Sequence, residues 1–455
     1  MEAWRTRDRF PGLTRLVQGA PGAGKSSLLA HLEKRWSEAR SAGDRTAPVA
    51  VNLSLLDLRD PRRFRDAIAE KVPVSLGQRY APVVAGALLK LVIPDARLSA
   101  ETEKAVREEL AGKRNLSNPV VLMVDEAQNA RPGGDESAIL AHIHEGHLDS
   151  LPILPVLAGL GFLREHLQQP GIRLTRFSDE RQSVHTLGAI SDAEVRDLFE
   201  GWLKHFRVVA EHGEAERWVD ALVRDSQGWP MHTNHFLTAL AGQLRMPGRD
   251  PCRLASADLL AVRRDAADRR LRYYETRYDN PLLDERARDV GKFMAELRAA
   301  GPATMKGALD LIQRAFRFES RESALAAFNA LRERGFLQRV DGPGRRSASA
   351  LRLYACPIPS LASFAAACES ALHLAASAGD VDELRRLVRG GNAVGARDAM
   401  DRTPLHLAAE CRWADAVGAL LSTGADPDAL DAAGTTPRGA WPEFEWPDSK
   451  GSAAN

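Results

Sequence analysis

The sequence predicts an α/β protein: a doubly wound parallel sheet within residues 1–190, followed by a helical remainder that ends in a repeat. Three observations carry that prediction. Apolar runs of strand length alternate with stretches of helical spacing as far as Leu187, and such alternation implies a parallel sheet covered on both faces. A Gly-rich octet, GAPGAGKS at Gly19–Ser26, falls between the first run and the first helix. Near the end a spacing of 33 residues recurs, from His373 to His406 and from Pro404 to Pro437.

At 455 residues the chain has room for two to four domains, each with its own core. A net charge of +1 excludes binding of polyanions by overall charge and leaves only a local patch open. Cys252, Cys356, Cys368 and Cys411 are scattered without a C-x-x-C pair, which fits a reducing cytosol and gives no zinc signature. The opening MEAWRTRDRF is not a signal peptide. The apolar stretches Ala81–Pro94 and Leu151–Leu163 are broken by Lys90 and by Pro152 and Pro155, and both are too short for a membrane span. The expectation is a cytoplasmic protein without membrane contact.

Leu13–Val17 reads as the first strand, and Ser27–Trp36 carries Leu28, Leu29, Leu32 and Trp36 at helical spacing. The octet between them is G-x-x-x-x-G-K-S, the phosphate-binding loop of nucleotide hydrolases. Gly19, Gly22 and Gly24 let the backbone curl around an anion, and the amides of the loop and the helix start supply its positive lining. Gly19, Ala20, Pro21, Gly22, Ala23, Gly24, Lys25, Ser26 and Ser27 are therefore assigned to ATP. Lys25 would reach the β and γ phosphates, and the Ser26 hydroxyl would bind Mg²⁺.

Ala47–Leu53 is the second strand and Pro61–Lys71 a helix; Gly86–Ile93 and Ser99–Lys113 are two more helices. Pro119–Glu126, PVVLMVDE, has the unbroken apolar run of a central parallel strand. Asp125 and Glu126 close it at the carboxyl end, where ligands bind in open α/β sheets. Asp125 would hold Mg²⁺, mainly through water, and Glu126 would polarise the attacking water; alone, the pair reads equally as an acidic turn. Ser137–Leu148 is a helix, Ile153–Ala158 a strand, Phe162–Leu167 a helix start and Ser183–Leu187 the fifth strand. The HIHEGH run with His142, His144 and His147 lacks metal spacing and reads as packing or surface histidines. Arg176 is the candidate arginine finger, with Arg173 and Arg181 as competitors and an exposed surface arginine as the alternative.

From Ser191 the strand pattern stops. Ser191 and Glu194 form a capping box, and helices run over Val195–Phe206, Glu214–Asp225 and Met231–Leu244 within a segment 191–250, with Gly228-Trp229-Pro230 between the last two. With this turn in place, residues 13–244 resemble the AAA+ and STAND group of P-loop NTPases, on GAPGAGKS, VVLMVDE, the Arg176 region and the G-x-P turn. The resemblance implies a helical lid on the adenine side of the nucleotide, with Pro230 and its neighbours Trp229 and His232 near it. It also implies Mg²⁺-dependent ATP hydrolysis and nucleotide-dependent homo-oligomers. The sequence departs from the group in two places. The fourth strand ends in AGLG, Ala158–Gly161, without the polar sensor of related ATPases, and no arginine follows Pro230. The first implies slow hydrolysis or a sensor carried elsewhere; the second favours a STAND-like switch over a fast motor. The stretch ahead of the first strand is also short for the group, which leaves the start of the chain open.

Residues 256–365 begin with a basic helix, Ser256–Tyr278. Helices at Arg286–Arg298, Met305–Phe316 and Arg321–Arg334 follow, then a hairpin of Leu337–Val340 and Ala350–Tyr354. This order resembles a winged helix-turn-helix. Residues 285–355 hold 14 Lys and Arg against 8 Asp and Glu. Arg345 and Arg346 at the wing tip, with Arg321, Arg332 and Arg334 on the third helix, would face DNA, or the domain would pack on the ATPase instead.

TPLHLAAE at Thr403–Glu410 echoes SALHLAAS at Ser370–Ser377, and the repeat resembles ankyrin repeats over 366–445: two copies and a partial third from Gly434. Gly424 ends a helix with a residue free to take positive φ, and the motif histidine is structural. The resemblance implies a protein partner. After Trp441 the chain reads as polar and loose, with 446–455 as a tail. The leading function is an ATP-dependent regulatory switch; a DNA-loading ATPase, similar to origin-recognition and transposition-helper ATPases, and a non-catalytic nucleotide-gated scaffold are the alternatives.

Overall fold

The computed structural model describes residues 14–44, 47–71, 120–145, 153–172, 174, 184–210, 214–246, 253–254, 256–276, 287–340, 353–358, 371–398, 401–431 and 434–446. The expected helices at 86–93 and 99–113 lie outside them. The chain divides into two compact units, Met1–Gly188 and Ala189–Asn455.

The first unit is a parallel sheet with helices. Strands β1 (Arg15–Gln18), β2 (Val49–Ser54), β3 (Val120–Asp125), β4 (Ile153–Gly159) and β5 (Val184–Thr186) form one sheet in the order β2-β3-β4-β1-β5, all paired parallel. Helices α1 (Lys25–Ser41), α2 (Pro61–Lys71), α3 (Asp135–Glu145) and α4 (Leu163–Leu167) connect them. The two-residue period of β3 explains why its run is unbroken. Val120, Leu122 and Val124 pack with Phe64 and Ile68 of α2 and Ile139, Leu140 and Ile143 of α3. Val121 and Met123 face the other way, into a cluster with Leu29 of α1. A strand buried on both faces needs no polar positions.

The second unit begins with α5 (Asp192–Phe206), α6 (Glu214–Ser226) and α7 (Pro230–Leu244), joined by α8 (Ser256–Glu275) around Phe199, Trp218, Phe236 and Val262. The capping box is present: Ser191 Oγ accepts from the Glu194 amide at 3.3 Å, and Glu194 Oε2 accepts from the Ser191 amide at 2.8 Å. Next come α9 (Ala287–Ala300), β6 (Ala303–Thr304), α10 (Met305–Ala315), α11 (Arg321–Glu333), β7 (Gln338–Val340) and β8 (Leu353–Ala355). The last three strands make an antiparallel sheet in the order β6-β8-β7, so the expected hairpin gains a third strand.

Two helical pairs follow, α12 (Ala371–Ala378) with α13 (Val381–Arg389) and α14 (Pro404–Glu410) with α15 (Ala414–Ser422), then a short α16 (Pro437–Ala440). The motif histidines are structural. His373 Nε2 donates to the Arg402 carbonyl at 3.0 Å and His406 Nε2 to the Thr435 carbonyl at 3.2 Å, so each ties its repeat to the next. His406 Nδ1 in turn accepts from the Thr403 amide at 3.0 Å. Gly424 takes φ 85° as its place after α15 requires. The expectation of a loose chain directly after Trp441 is corrected as far as Trp446: Trp441, Phe444 and Trp446 pack together against the repeat core. Their aromatic area outweighs the acidic and proline residues between them. The rest of the expected tail, 447–455, lies outside the described residues.

One ion pair ties three of these elements. Arg263 of α8 meets Asp225 of α6 through two nitrogens, at 2.8 and 2.9 Å, with both side chains more than nine-tenths buried. The same guanidinium donates to the Cys411 carbonyl and stacks over the Trp413 ring, 3.2 Å from its centre. Trp413 approaches so closely because Gly379 has no Cβ; one there would sit 2.4 Å from the ring. Asp225→Ala would leave a buried cation without its carboxylate. We expect a loss of about 3–5 kcal/mol in urea unfolding followed by tryptophan fluorescence; a loss below about 1 kcal/mol would contradict the tie.

Candidate functional site

The Gly-rich loop that starts at Gly19 leaves β1 and enters α1 as the sequence requires. Gly22 and Gly24 take positive φ, 81° and 91°. Gly24 is the left-handed N-cap of α1 and brings no side-chain acceptor to the helix start. A helix start without a capping side chain is the arrangement that an anion site uses. Gly19 is required for a different reason: a Cβ there would stand 2.9 Å from the Leu187 carbonyl oxygen and 3.0 Å from Ala23 Cβ. Lys25 is buried, and its Nζ donates to the Gly19 and Ala20 carbonyls at 2.9 and 3.2 Å. The ammonium therefore lies inside the turn of the loop. Ser26 and Ser27 are exposed at the mouth, and Ala20, Pro21 and Ala23 are buried behind it.

Asp125 and Glu126 end β3. Since β4 lies hydrogen-bonded between β1 and β3, the loop and the acids stand two strand spacings apart, about 10 Å. That gap suits a hydrated divalent cation and the end of a triphosphate. Asp125 is half-buried and Glu126 exposed. Glu126 sits in the left-handed region, φ 58°, and caps a short 3₁₀ turn, Ala127–Asn129. Asp125 Oδ1 accepts from the Glu126 amide at 2.8 Å. The donor set, one hydroxyl and one carboxylate, fits Mg²⁺, which keeps most of its shell as water and phosphate oxygens. Among the described residues no cluster of three or more His, Cys, Asp or Glu could hold a metal by itself.

Sequence reasoning missed Gln128. Its side chain is buried and spans from Glu126 to the tip of β4. Arg176 lies outside the described residues, as do Arg173, Arg181 and His147. His144 is a core residue, its Nδ1 2.8 Å from Thr14 Oγ1; His142 is exposed.

Pro230 belongs to the second unit, at the first turn of α7. The turn before it has its own structural reason. Gly228 has φ 70°, and a Cβ would fall 2.0 Å from the Ile190 carbonyl oxygen. Trp229 is fully buried, and its amide donates to Ser226 at 2.9 Å. His232 Nδ1 donates to the Ser226 carbonyl at 3.3 Å, so its Nε2 accepts from the Tyr274 hydroxyl at 2.7 Å. Burial, helped by nearby Arg270, lowers its pKa well below the usual histidine value, which keeps it neutral.

Residues 356–431 match the family model described as ankyrin repeats (3 copies). No curated protein matches the chain. Similar solved structures include a Walker-type ATPase of Pyrococcus abyssi, with 15% identity, a TM-score of 0.46, and 80% of this chain and 93% of that chain covered. The Aeropyrum pernix ORC2 protein has 13% identity and a TM-score of 0.45 over 77% of this chain and 86% of that one. Cdc6p from Pyrobaculum aerophilum has 15% and 0.37 over 84% and 88%. At these values the likeness carries no argument about activity.

Gly24→Ala tests the geometry of the loop. A Cβ in the left-handed region costs about 1–2 kcal/mol. The nest should open, and ATP affinity should fall about tenfold or more in a fluorescent-nucleotide titration. Unchanged affinity would show that the loop does not hold the phosphates.

Proposed function

We propose that the chain is an ATP-binding, Mg²⁺-dependent ATPase that works as a regulatory switch, with its ankyrin segment recruiting a protein partner. The observation that carries this reading is the pairing of a glycine-capped phosphate loop at β1 with Asp125 and Glu126 at β3, set about 10 Å apart across β4. Lys25 and the loop amides bind the phosphates and offset their charge. Mg²⁺, held by Ser26 and Asp125, supplies further charge neutralisation when bound. Glu126 orients a water and takes its proton as the water oxygen bonds to the γ-phosphorus and the bond to the bridging oxygen breaks. Arg176 remains the proposed finger from a neighbouring copy, and Pro230 the proposed lid contact. A phosphate loop without acids would suit a scaffold; Asp125 and Glu126 together favour turnover instead.

A cytoplasmic setting is proposed from the four scattered cysteines, which fit a reducing compartment; among the described residues no helix is long and apolar enough to cross a membrane. The partner reading rests on the ankyrin match and on a repeat core in which His373 and His406 each bond the repeat that follows.

A second reading, DNA contact, is favoured by the three helices and three-stranded sheet of 287–355, in the order of a winged helix. Its charge is less available than the sequence implies. Arg321 pairs with Asp310 at 2.8 Å, and Arg332 lies over the Phe328 and Tyr354 rings. Arg345 and Arg346 lie outside the described residues.

Lys25→Ala should abolish ATP binding and turnover while the far-ultraviolet circular dichroism stays unchanged; retained binding would place the nucleotide elsewhere. For DNA, affinity should fall steeply between about 50 and 200 mM salt if the basic face meets phosphates. Absence of binding at the lower salt would remove that reading.

A further inference from the structure

We propose that Gln128 is a positioning residue for Glu126, and that it supplies the polar group missing from the tip of β4. Its amide has one possible orientation. The Leu160 backbone amide donates to Oε1 at 3.2 Å, so Oε1 must be the acceptor there. The amide nitrogen, Nε2, then faces Glu126 and donates to Oε2 at 2.5 Å. Asn129 Nδ2 donates to the same carboxylate oxygen at 3.3 Å. Gln128 is 7% exposed, so its two bonds are made away from water, where they hold position best.

The backbone is built around this side chain. Gly159 ends β4, and a Cβ there would lie 2.4 Å from Gln128 Oε1. The Gly159 carbonyl accepts from the Gly19 amide at 3.2 Å, so the strand tip that anchors Gln128 also anchors the start of the phosphate loop. Glu126 itself is exposed and sits on a left-handed turn residue. Without a partner its side chain would sample several rotamers. Gln128 fixes one carboxylate oxygen, Oε2, and leaves the other to act on the attacking water. The AGLG ending of β4, which carries no polar side chain of its own, is thus served from the end of β3.

This role rests on the hydrolysis reading, and the test separates the two. ATP turnover by the full-length chain with Mg²⁺ is measured over a range of ATP concentrations, beside fluorescent-nucleotide affinity and thermal unfolding. Gln128→Met keeps the volume and loses both bonds. We expect kcat to fall roughly 10- to 100-fold, with KM and nucleotide affinity within about twofold of the wild type. Gly159→Ala, which displaces Gln128 by crowding it, should lose a similar factor. The double variant should be no worse than the poorer single one, because both act through one contact. Wild-type turnover with kcat unchanged in Gln128→Met would overturn the role of Gln128 alone, as would a loss confined to KM. If Gln128→Met fails to fold, Gly159→Ala decides by the same split between kcat and KM. No turnover by wild-type chain that binds ATP would overturn the hydrolysis reading itself, and this role with it.

Discussion

The site depends on β4 being hydrogen-bonded between β1 and β3. That single pairing fixes the distance between a loop that offers amides and an ammonium and a strand end that offers carboxylates. Neither group could be held at that separation by side chains alone, since each lies on a turn. The parallel ladder does it with backbone bonds, and the alternating burial of β3 into two apolar clusters packs the ladder against helices on both faces. Chemistry at the strand tips is then a matter of which atoms the turns present.

Glycine and buried polar ties recur where the backbone must come close. Gly19 admits Leu187, Gly159 admits Gln128, Gly228 admits Ile190 and Gly379 admits Trp413. In the second unit the polar ties are long-range in sequence: His232 with Tyr274, Arg263 with Asp225, and each motif histidine with the repeat that follows. A buried pair such as Arg263 and Asp225 contributes less to net stability than to choosing one arrangement, because removing either partner strands the other. Arg263 joins α6, α8 and the start of α15 in one contact, so the repeats and the helices after Ser191 are one packed body, not beads on a linker.

Much of this was legible in the sequence, because the informative residues act locally. The glycines of the loop, the Ser191 capping box and the histidine after Thr403 each bond within a few residues, so their spacing alone reveals them. The apolar run of β3 was equally plain. What escaped detection depends on contacts distant in the chain. Gln128 looks like an ordinary turn residue until Gly159 and Leu160 are brought beside it. β6 has only two residues, too few to show a period. Trp441, Phe444 and Trp446 were hidden by the polar residues among them. The partners of Arg321 and Arg332, Asp310 and the Phe328 and Tyr354 rings, likewise cannot be read from a count of charges. The AGLG ending of β4 shows no polar side chain in sequence, and only the fold brings Gln128, from the turn after β3, beside it.

Calorimetric titration of the folded wild-type chain with ATP, in Mg²⁺ and again in chelator, tests the central claim most directly. Saturable binding at one site per chain, weakened when the cation is removed, is the predicted result. A trace without heat or saturation in Mg²⁺, for ATP and ADP alike, would contradict a site built from the loop of β1 and the acids of β3.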